Sequence, residues 1–164
     1  MINNEIIEKI KGIDEEYVIS ESNATMLYIG RDIRECKDID LHLSKRVFGE
    51  EVDKVIGIKT DINYESFPYQ TYNGIRLVKL EKPIADKISR INSRLRCKDI
   101  YDLYFLLDLQ YDELVLRQYV CIDNINALVV DEKEFCNFVN TTYYVVKLED
   151  CLNKIQECLS KICS

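Results

Sequence analysis

The sequence predicts an α+β protein, in which a mixed β-sheet with flanking helices is followed by a helical C-terminal half. Up to about residue 80, short helix and strand patterns alternate, whereas from Glu81 onward the hydrophobic residues recur at helical spacing. The charged stretch from Lys79 to Lys82 lies where the period changes. We therefore assign residues 1–80 to an α/β core and residues 81–164 to a helical region packed on it, and we expect one compact unit.

The first half contains signals for helix ends, strands and a turn. Asparagine favours helix N-termini, glycine favours helix C-termini, and the pair Asn73-Gly74 is typical of a hairpin turn. The predicted elements are a helix from Asn3 or Asn4 to about Gly12, a strand at 17–19, a helix from Ser22 or Asn23 to Gly30, and strands at 38–43, 55–62 and 75–80.

The second half carries helix patterns throughout. Pro83 suits the first turn of a helix, and Ile84, Ile88 and Ile91 follow it at helical spacing. An apolar stripe with the same period extends from Cys97 to Leu109. Three further helices are predicted at about 112–120, 132–140 and 147–162.

Composition limits the classes of protein to which the chain can belong. Hydrophobic residues make up 47% of it and charged residues 31%, which suits a domain with a real core. No apolar run approaches the roughly 18 to 20 residues of a membrane span, and residues 1–5 lack the pattern of a signal peptide. We therefore expect a cytoplasmic protein with no membrane partner. A net charge of −7 disfavours a broadly basic nucleic-acid surface but leaves room for a local basic groove.

The seven cysteines are scattered, and none forms a Cys-x-x-Cys pair. Free thiols that act as small apolar residues in a reducing compartment fit this pattern best. The chain has a single histidine, His42, so a zinc site made of cysteines and histidines has little support.

The strand from Asp38 to Leu43 carries the pattern that points most directly to chemistry. Its alternation places Asp38, Asp40 and His42 on the face opposite the apolar residues. Two carboxylates on one strand face can hold hard divalent cations, which bind nucleotide phosphates and activate an attacking hydroxyl group. Asp61 on a neighbouring strand is a candidate third ligand. The alternative is that all three aspartates are solvated residues at a sheet edge.

Basic residues downstream offer a counterpart for phosphate groups. On a helix, Lys87, Arg90 and Arg94 share one face at positions i, i+3 and i+7, and Lys98 lies four residues beyond Arg94. Cationic side chains opposite a carboxylate-metal site can neutralise the phosphate charge of a triphosphate that the metal leaves uncompensated. A solvated helix face would show the same spacing, so this alternative stays open.

The next helix carries two further carboxylates. Asp99 and Asp102 share a face at i, i+3, and Asp102 can pair with Lys98 at i, i+4. Such residues either form a helix-surface charge network or orient the basic groups at a site.

Three stretches together resemble one protein family. The segment Arg34–Leu41 looks like the R-x-S-x-D-I-D-L signature of AbiEii/AbiGii toxin-type nucleotidyltransferases. Ile84–Ile88 and Lys98–Tyr104 resemble the A-D-K and R-D-L-Y-D-L-Y motifs of that family. Their order and spacing also agree, over residues from about 17 to 109.

The resemblance implies a polymerase-β-like nucleotidyltransferase fold that uses Mg²⁺ or Mn²⁺ and a nucleoside triphosphate. The implied acceptor is RNA, tRNA included, or a protein, and the implied partner is a cognate antitoxin, as in toxin–antitoxin systems and phage defence. The implied roles are metal binding by Asp38, Asp40 and Asp61, catalysis by these three with Lys87 and Asp102, and nucleotide binding by Arg34, Lys87 and Asp99. Their charge or their position along the chain adds Ser22, Arg90, Arg94 and Lys98 to the nucleotide-binding candidates.

The sequence departs from the family at the turn before the second helix. The family carries a Gly-Gly-Thr or Gly-Ser turn there, whereas this chain has Glu21-Ser22. Without glycine the backbone approaches phosphate less easily, although Ser22 can still supply a hydroxyl group at a helix N-terminus. A catalytically silent relative that binds nucleotide or a protein partner is therefore the alternative, and a purely structural interaction module is a third hypothesis.

Two further features have both a functional and a structural interpretation. His42 shares a strand face with the aspartates, but a lone histidine on a strand is more often structural. The aromatic residues Tyr64, Phe67, Tyr69 and Tyr72 could stack nucleic-acid bases. Their polar neighbours and the lack of a nearby basic residue favour an ordinary loop or hairpin.

Overall fold

A computed structural model describes residues 2–90, 97–120 and 130–164. Within these ranges the chain has a five-stranded mixed sheet with flanking helices, followed by helices alone, which confirms the predicted fold class. The chain divides into two compact units after Leu80. The sheet unit comprises the described residues up to Arg31 and Glu35–Leu80, and the helical unit comprises Asp32–Arg34 and the described residues from Glu81 to Ser164.

The sheet unit contains three helices and five strands. They are α1 (Asn4–Ile13), β1 (Val18–Ile19), α2 (Glu21–Ile29), β2 (Ile39–His42), α3 (Gly49–Ile56), β3 (Thr60–Asn63), β4 (Tyr69–Tyr72) and β5 (Ile75–Val78). The strand order is β3-β2-β1-β5-β4. β2 is antiparallel to β1 and parallel to β3, and β5 is parallel to β1 and antiparallel to β4. The core of this unit lies on the central strands, where Ile19, Ile39, Leu41 and Leu77 are buried.

Local signals in the sequence account for several of these boundaries. The Asn3 side chain caps α1, because its Oδ1 accepts a hydrogen bond of 3.0 Å from the Ile6 N–H group. Helix α2 ends at Gly30, which has a φ of 77°. Asn73 and Gly74 both have positive φ, at 50° and 77°, which matches the twist of the hairpin between β4 and β5.

The strand predicted at 55–62 is wrong over its first part. Residues Gly49–Ile56 form helix α3, and only Thr60–Asn63 is a strand. Of the run that suggested a strand, Val55 and Ile56 belong to this helix, where Ile56 forms the buried face with Val52, and Ile58 beyond the helix is exposed. The helix ends at Gly57, which has a φ of 81°.

The helical unit contains the five remaining helices of the described residues. They are α4 (Glu81–Ser89), α5 (Cys97–Leu106), α6 (Glu113–Tyr119), α7 (Glu132–Val139) and α8 (Leu148–Cys163). Helix α5 packs against α4, α7 and α8, and α6 packs against α4 and α8. The side chains of Asp112 and Asp131 cap α6 and α7. These boundaries agree with the predicted helical segments to within a few residues.

The short segment Asp32–Arg34 belongs to the helical unit because hydrogen bonds tie it there. The Ile33 carbonyl accepts a bond of 3.0 Å from the Tyr101 hydroxyl and one of 3.1 Å from the Tyr143 N–H group. Among the described residues, the helices are all too short or too polar to cross a membrane. The six described cysteines are free thiols.

Candidate functional site

The sheet brings two of the three candidate metal-binding aspartates together. Asp40 on β2 and Asp61 on β3 are directly paired in the parallel register. Paired residues of adjacent strands lie on the same face, with the strands about 4.8 Å apart. Asp38 lies at the bend that leads into β2 and is half-buried, as is Asp40, whereas Asp61 is exposed. The carboxylates of Asp40 and Asp61 are therefore neighbours on one accessible face of the sheet.

The start of helix α2 is attached to the backbone of Asp40. The Ser20 N–H group donates a 3.0 Å hydrogen bond to the Asp40 carbonyl, and the Asp40 N–H group donates one of 3.1 Å to Oδ1 of buried Asn23. A helix N-terminus carries a partial positive charge and unpaired N–H groups, which favour anions. The helix N-terminus that includes Ser22 thus lies beside the aspartate pair.

The turn into α2 keeps a glycine-like backbone although it contains no glycine. Glu21 has a φ of 48°, one of two positive values among the described residues other than glycine. This conformation costs an L-residue with a Cβ atom roughly 1 to 2 kcal/mol. The position at which the resembling family carries glycine is therefore the position at which this backbone is left-handed.

We predict that Glu21→Gly is more stable than Glu21→Ala by about 1 kcal/mol, because both remove the carboxylate and only alanine keeps the strained Cβ. Urea denaturation monitored by circular dichroism measures the difference. Equal stability of the two variants would mean that the positive φ at this turn carries no strain.

The aspartates provide a partial fit to a metal ion. Two neighbouring carboxylates suit a hard divalent cation, which prefers oxygen ligands. Within the part of the chain that the structure describes, no three His, Cys, Asp or Glu side chains are grouped closely enough to hold a metal ion. Asp40 and Asp61 are therefore two neighbouring candidate ligands, and Asp38 is the nearest further candidate along the chain.

The helical unit joins candidate residues from all three motifs in one group of charges, which we call the ion cluster: Arg34, Lys87, Arg90, Asp99 and Asp102. Arg34 holds Asp102 with two hydrogen bonds, of 2.8 Å from Nε and 2.7 Å from Nη2. Lys87 Nζ lies 2.9 Å from Asp102 Oδ2 and 3.5 Å from Asp99 Oδ1. Arg90 Nη1 lies 3.2 Å from Asp99 Oδ1.

The ion cluster is largely inaccessible to water. The side chains of Asp99 and Asp102 are 0% exposed and that of Lys87 is 2% exposed, whereas Arg90 is 34% exposed. The interpretation of Asp99 and Asp102 as a helix-surface network is therefore wrong. Asp102 pairs with Arg34 and Lys87, which lie in other segments of the chain. The sequence predicts a pairing with Lys98 on its own helix instead.

Electrostatics within the ion cluster favour the ionised form of Asp102. Burial by itself would raise the pKa of this carboxyl group, but the charges and hydrogen bonds of Lys87 and Arg34 outweigh it, so the pKa is lowered. Asp99 Oδ2 is buried and has no hydrogen-bond partner among the described residues. Lys98 is half-buried on α5, and Arg94 lies outside the described residues.

We predict that Asp102→Asn lowers the free energy of unfolding by about 3 to 5 kcal/mol, because it leaves Arg34 and Lys87 buried with less negative charge. The control is Asp86→Asn. Asp86 pairs with Lys82 on α4, where both side chains are partly exposed, and its loss should cost less than about 1 kcal/mol. Equal losses, measured by urea denaturation, would contradict a dominant role for the buried pairs.

The lowered pKa of Asp102 also predicts a pH dependence. A carboxyl group with a folded-state pKa below its ordinary value of 3.8 stabilises the fold above that pH, and this contribution is lost as the pH falls below it. We therefore expect the unfolding free energy to fall between about pH 5 and about pH 2 more steeply in the unmodified protein than in Asp102→Asn. Parallel curves for the two proteins would refute this assignment.

A pocket of about 400 Å³ lies in the sheet unit at the His42 end of β2, and we call it the histidine pocket. His42 is 8% exposed, and its ring centroid lies 4.3 Å from that of Phe67. Burial lowers the pKa of His42, although the backbone of Glu65 and the carboxylates of Glu21 and Glu65 act in the opposite direction. Nδ1 of His42 is buried without a hydrogen-bond partner in the described ranges.

Three of the four aromatic residues singled out in the sequence line the histidine pocket. They are Tyr64, Phe67 and Tyr69. Tyr72 instead packs against Tyr28, with their ring centroids 5.1 Å apart. The prediction that no basic residue lies near this group is wrong, because Arg76 of the neighbouring strand β5 also lines the pocket and the hairpin brings it there.

Comparison with known proteins finds no matching family, no similar curated protein and no similar solved structure. The resemblance to AbiEii/AbiGii toxin-type nucleotidyltransferases therefore depends on the three motifs. Arg34, Lys87 and Asp102 come one from each motif, and Arg34 and Lys87 both pair with Asp102 in the ion cluster.

Sequence reasoning missed one residue and one pairing that position the candidate groups. Asn23 was considered only as a helix cap, yet its side chain binds the backbone of Asp40. The partnership of Arg34 with Asp102 was also missed, because 68 residues separate them along the chain. The one available signal was that Arg34 and Asp102 both belong to motifs of the same family.

Proposed function

We propose that this protein is a metal-dependent nucleotidyltransferase that transfers a nucleotide from a nucleoside triphosphate to an RNA, tRNA included, or a protein acceptor. The observation that supports it best is the in-register pair of Asp40 and Asp61 beside the start of α2. This arrangement offers oxygen ligands for a cation and helix N–H groups for a phosphate within one face of the sheet unit. The three motifs give the pair its family context.

In the proposed site, Asp40 and Asp61 would hold Mg²⁺ or Mn²⁺ together with phosphate oxygens of the nucleotide, whereas Asp38 does not form a group of three ligands with them. When bound, the metal supplies neutralisation of phosphate charge and activation of the attacking hydroxyl group. The side chain of Ser22 and the N–H groups at the start of α2 would orient the phosphates. Asn23, through its bond to the Asp40 backbone, would keep that helix in position relative to the carboxylate.

The proposed reaction is an in-line displacement at the α-phosphorus atom. The oxygen of the acceptor hydroxyl forms a new bond to this phosphorus, the bond to the bridging oxygen breaks, and pyrophosphate leaves with that electron pair. The hydroxyl proton passes to a carboxylate of the aspartate pair or to water. The remaining need is positive charge for the leaving pyrophosphate.

The cations of the helical unit have different accessibilities, and this suggests different roles. Lys87 is 2% exposed and already bound by two carboxylates, whereas Arg90 is 34% exposed. Within the helical unit we therefore assign a positioning role to Lys87, Arg34, Asp99 and Asp102, and Arg90 and Lys98 are the candidates of this unit for phosphate contact. A cognate antitoxin, as in toxin–antitoxin systems and phage defence, remains part of the proposal through the family resemblance.

The proposal is tested by incubating the protein with each α-³²P-labelled nucleoside triphosphate, Mg²⁺ or Mn²⁺, and total RNA. We expect label in RNA or protein, and a loss of roughly 100-fold or more in Asp40→Asn and in Asp61→Asn, since each removes a charged ligand. Glu50→Gln, an exposed acidic residue at the start of α3, is the matched control and should retain activity.

Full transfer activity in both aspartate variants would exclude this site. Absence of label in RNA and in protein with all four nucleotides and both metals would exclude the activity itself. Circular dichroism of each variant separates a loss of chemistry from a loss of fold.

A second candidate is a catalytically silent relative that binds nucleotide or a protein partner. Glu21 favours it, because a carboxylate at the turn into α2 repels a polyphosphate where the family has glycine. Calorimetric titration with each nucleotide and Mg²⁺ distinguishes the two candidates. Binding without transfer favours the silent relative, and binding with transfer excludes it.

A further inference from the structure

The histidine pocket has no role in the proposed chemical step, and several of its lining residues are aromatic. The rings of His42 and Phe67 pack together with an interplanar angle of 36°. The side chains of Tyr64 and Tyr69 also line the pocket and remain partly open to solvent, with the two residues 40% and 43% exposed. Partly exposed tyrosines beside the His42–Phe67 ring pair offer planar surfaces on which a flat ligand can stack, on the ring faces that Arg46 and Arg76 leave uncovered.

The charged groups of the histidine pocket favour a neutral ligand with hydrogen-bond donors. Glu16 and Glu65 contribute two carboxylates, and Arg76 contributes one guanidinium group. The carbon of that guanidinium lies 4.7 Å from the centroid of the Tyr69 ring, over which it is placed. Arg46, whose guanidinium carbon lies 5.6 Å from the centroid of the Tyr64 ring, offsets the second carboxylate, so the pocket has no net charge that would attract a phosphate. Its carboxylates accept hydrogen bonds from amino groups such as those of cytosine, adenine and guanine.

The size and the position of the histidine pocket further limit the kinds of ligand that it can bind. A volume of about 400 Å³ lies in the range of small-molecule pockets and suits one base with its sugar. His42 follows Asp40 by two residues on the same strand, so the two side chains share a face about 6 to 7 Å apart. A base held in the pocket would therefore belong to a molecule that also reaches the aspartate pair.

We propose that the histidine pocket binds one unpaired nucleobase with an exocyclic amino group and serves as the base-binding subsite for the acceptor RNA. The identity of the acceptor rests on the proposed function, whereas base binding stands on the pocket alone. A free nucleoside and a base in single-stranded RNA present the same chemistry, and the experiment separates them.

The single histidine of the chain is a direct reporter for this test. The ring signals of His42 are recorded by NMR while the full-length protein is titrated with cytidine and, separately, with uridine, which has the same size but lacks the amino group. We expect cytidine to shift the signals and to bind at least fivefold more tightly than uridine. No shift with either nucleoside, or equal affinity for both, would overturn the proposal.

Two tyrosines of β4 provide a matched pair of variants. Tyr69 lines the histidine pocket, whereas Tyr72, 37% exposed and of similar accessibility, packs against Tyr28. We expect Tyr69→Leu to weaken cytidine binding at least fivefold and Tyr72→Leu to leave it within twofold. Tyr69→Phe keeps the ring and should retain binding, which guards against a folding defect in Tyr69→Leu. Equal effects of the two leucine variants would contradict stacking in the pocket.

A second pair of variants tests whether the carboxylates of the pocket recognise the amino group of the base. Glu65→Gln should reduce the preference for cytidine over uridine, whereas Glu15→Gln, an exposed neighbour of Glu16 that is not part of the pocket lining, should preserve it. An unchanged preference in both Glu65→Gln and Glu16→Gln would refute recognition of the amino group.

A single-stranded oligocytidylate without terminal phosphates distinguishes the two sources of the base. Tighter binding than cytidine supports the acceptor subsite, and weaker binding overturns that part. The result differs if the proposed function fails. Cytidine binding without nucleotide transfer would overturn the proposed function and leave the assignment of base binding to the pocket intact. Nucleotide transfer without a cytidine-dependent shift of the His42 signals would overturn the assignment of base binding and leave the proposed function intact.

Discussion

Strand β2 is hydrogen-bonded along both of its edges, to β1 and to β3, and this double pairing fixes its register. The register places Ile39 and Leu41 in the core, and it places Asp40 and His42 on the opposite face. A shift by one residue would bury the aspartate and expose the apolar side chains, so the hydrophobic effect holds the register firmly. The aspartate pair and the histidine pocket both depend on this one strand, since each contains a residue that β2 presents.

The ion cluster gives the helical unit specificity more than stability. Taking several charges out of water costs free energy that their attraction only partly returns, so a buried network is weak evidence for a stable fold. The hydrogen bonds of the cluster nevertheless require defined positions of its side chains. Arg34 donates two hydrogen bonds to Asp102, and Lys87 donates to both Asp102 and Asp99. This arrangement fixes α4 against α5 and attaches the segment Asp32–Arg34 to both. If the proposed activity holds, the cluster orients Arg90, the member most open to solvent.

The turn at Glu21 has a backbone conformation that suits glycine and a side chain that carries a negative charge. Its positive φ directs the chain from β1 into α2 in a way that glycine would allow without strain. The carboxylate there, however, adds negative charge where a nucleotide would bring more. The positive φ at Glu21 lowers the stability of the fold by only about 1 to 2 kcal/mol, which the fold tolerates. The negative charge of its side chain instead lowers the affinity for a negatively charged ligand. Glu21 is therefore the residue that favours the catalytically silent relative over the active nucleotidyltransferase.

The sequence by itself determined the features that depend on near neighbours along the chain. It predicted the cap at Asn3, the turn at Asn73-Gly74, the helical period of the second half and the shared face of Asp40 and His42, because caps, turns and periodicity act over a few residues. It failed at α3, because the alternation of Ile56, Ile58 and Ile62 extended the predicted strand back into the last two residues of this helix. Only the tertiary structure decided that Asp61 pairs with Asp40, that Arg34 meets Asp102, and that the aromatic residues close around a pocket. These contacts join segments far apart in sequence, and the burial of apolar surface that brings them together is a property of the whole packed chain.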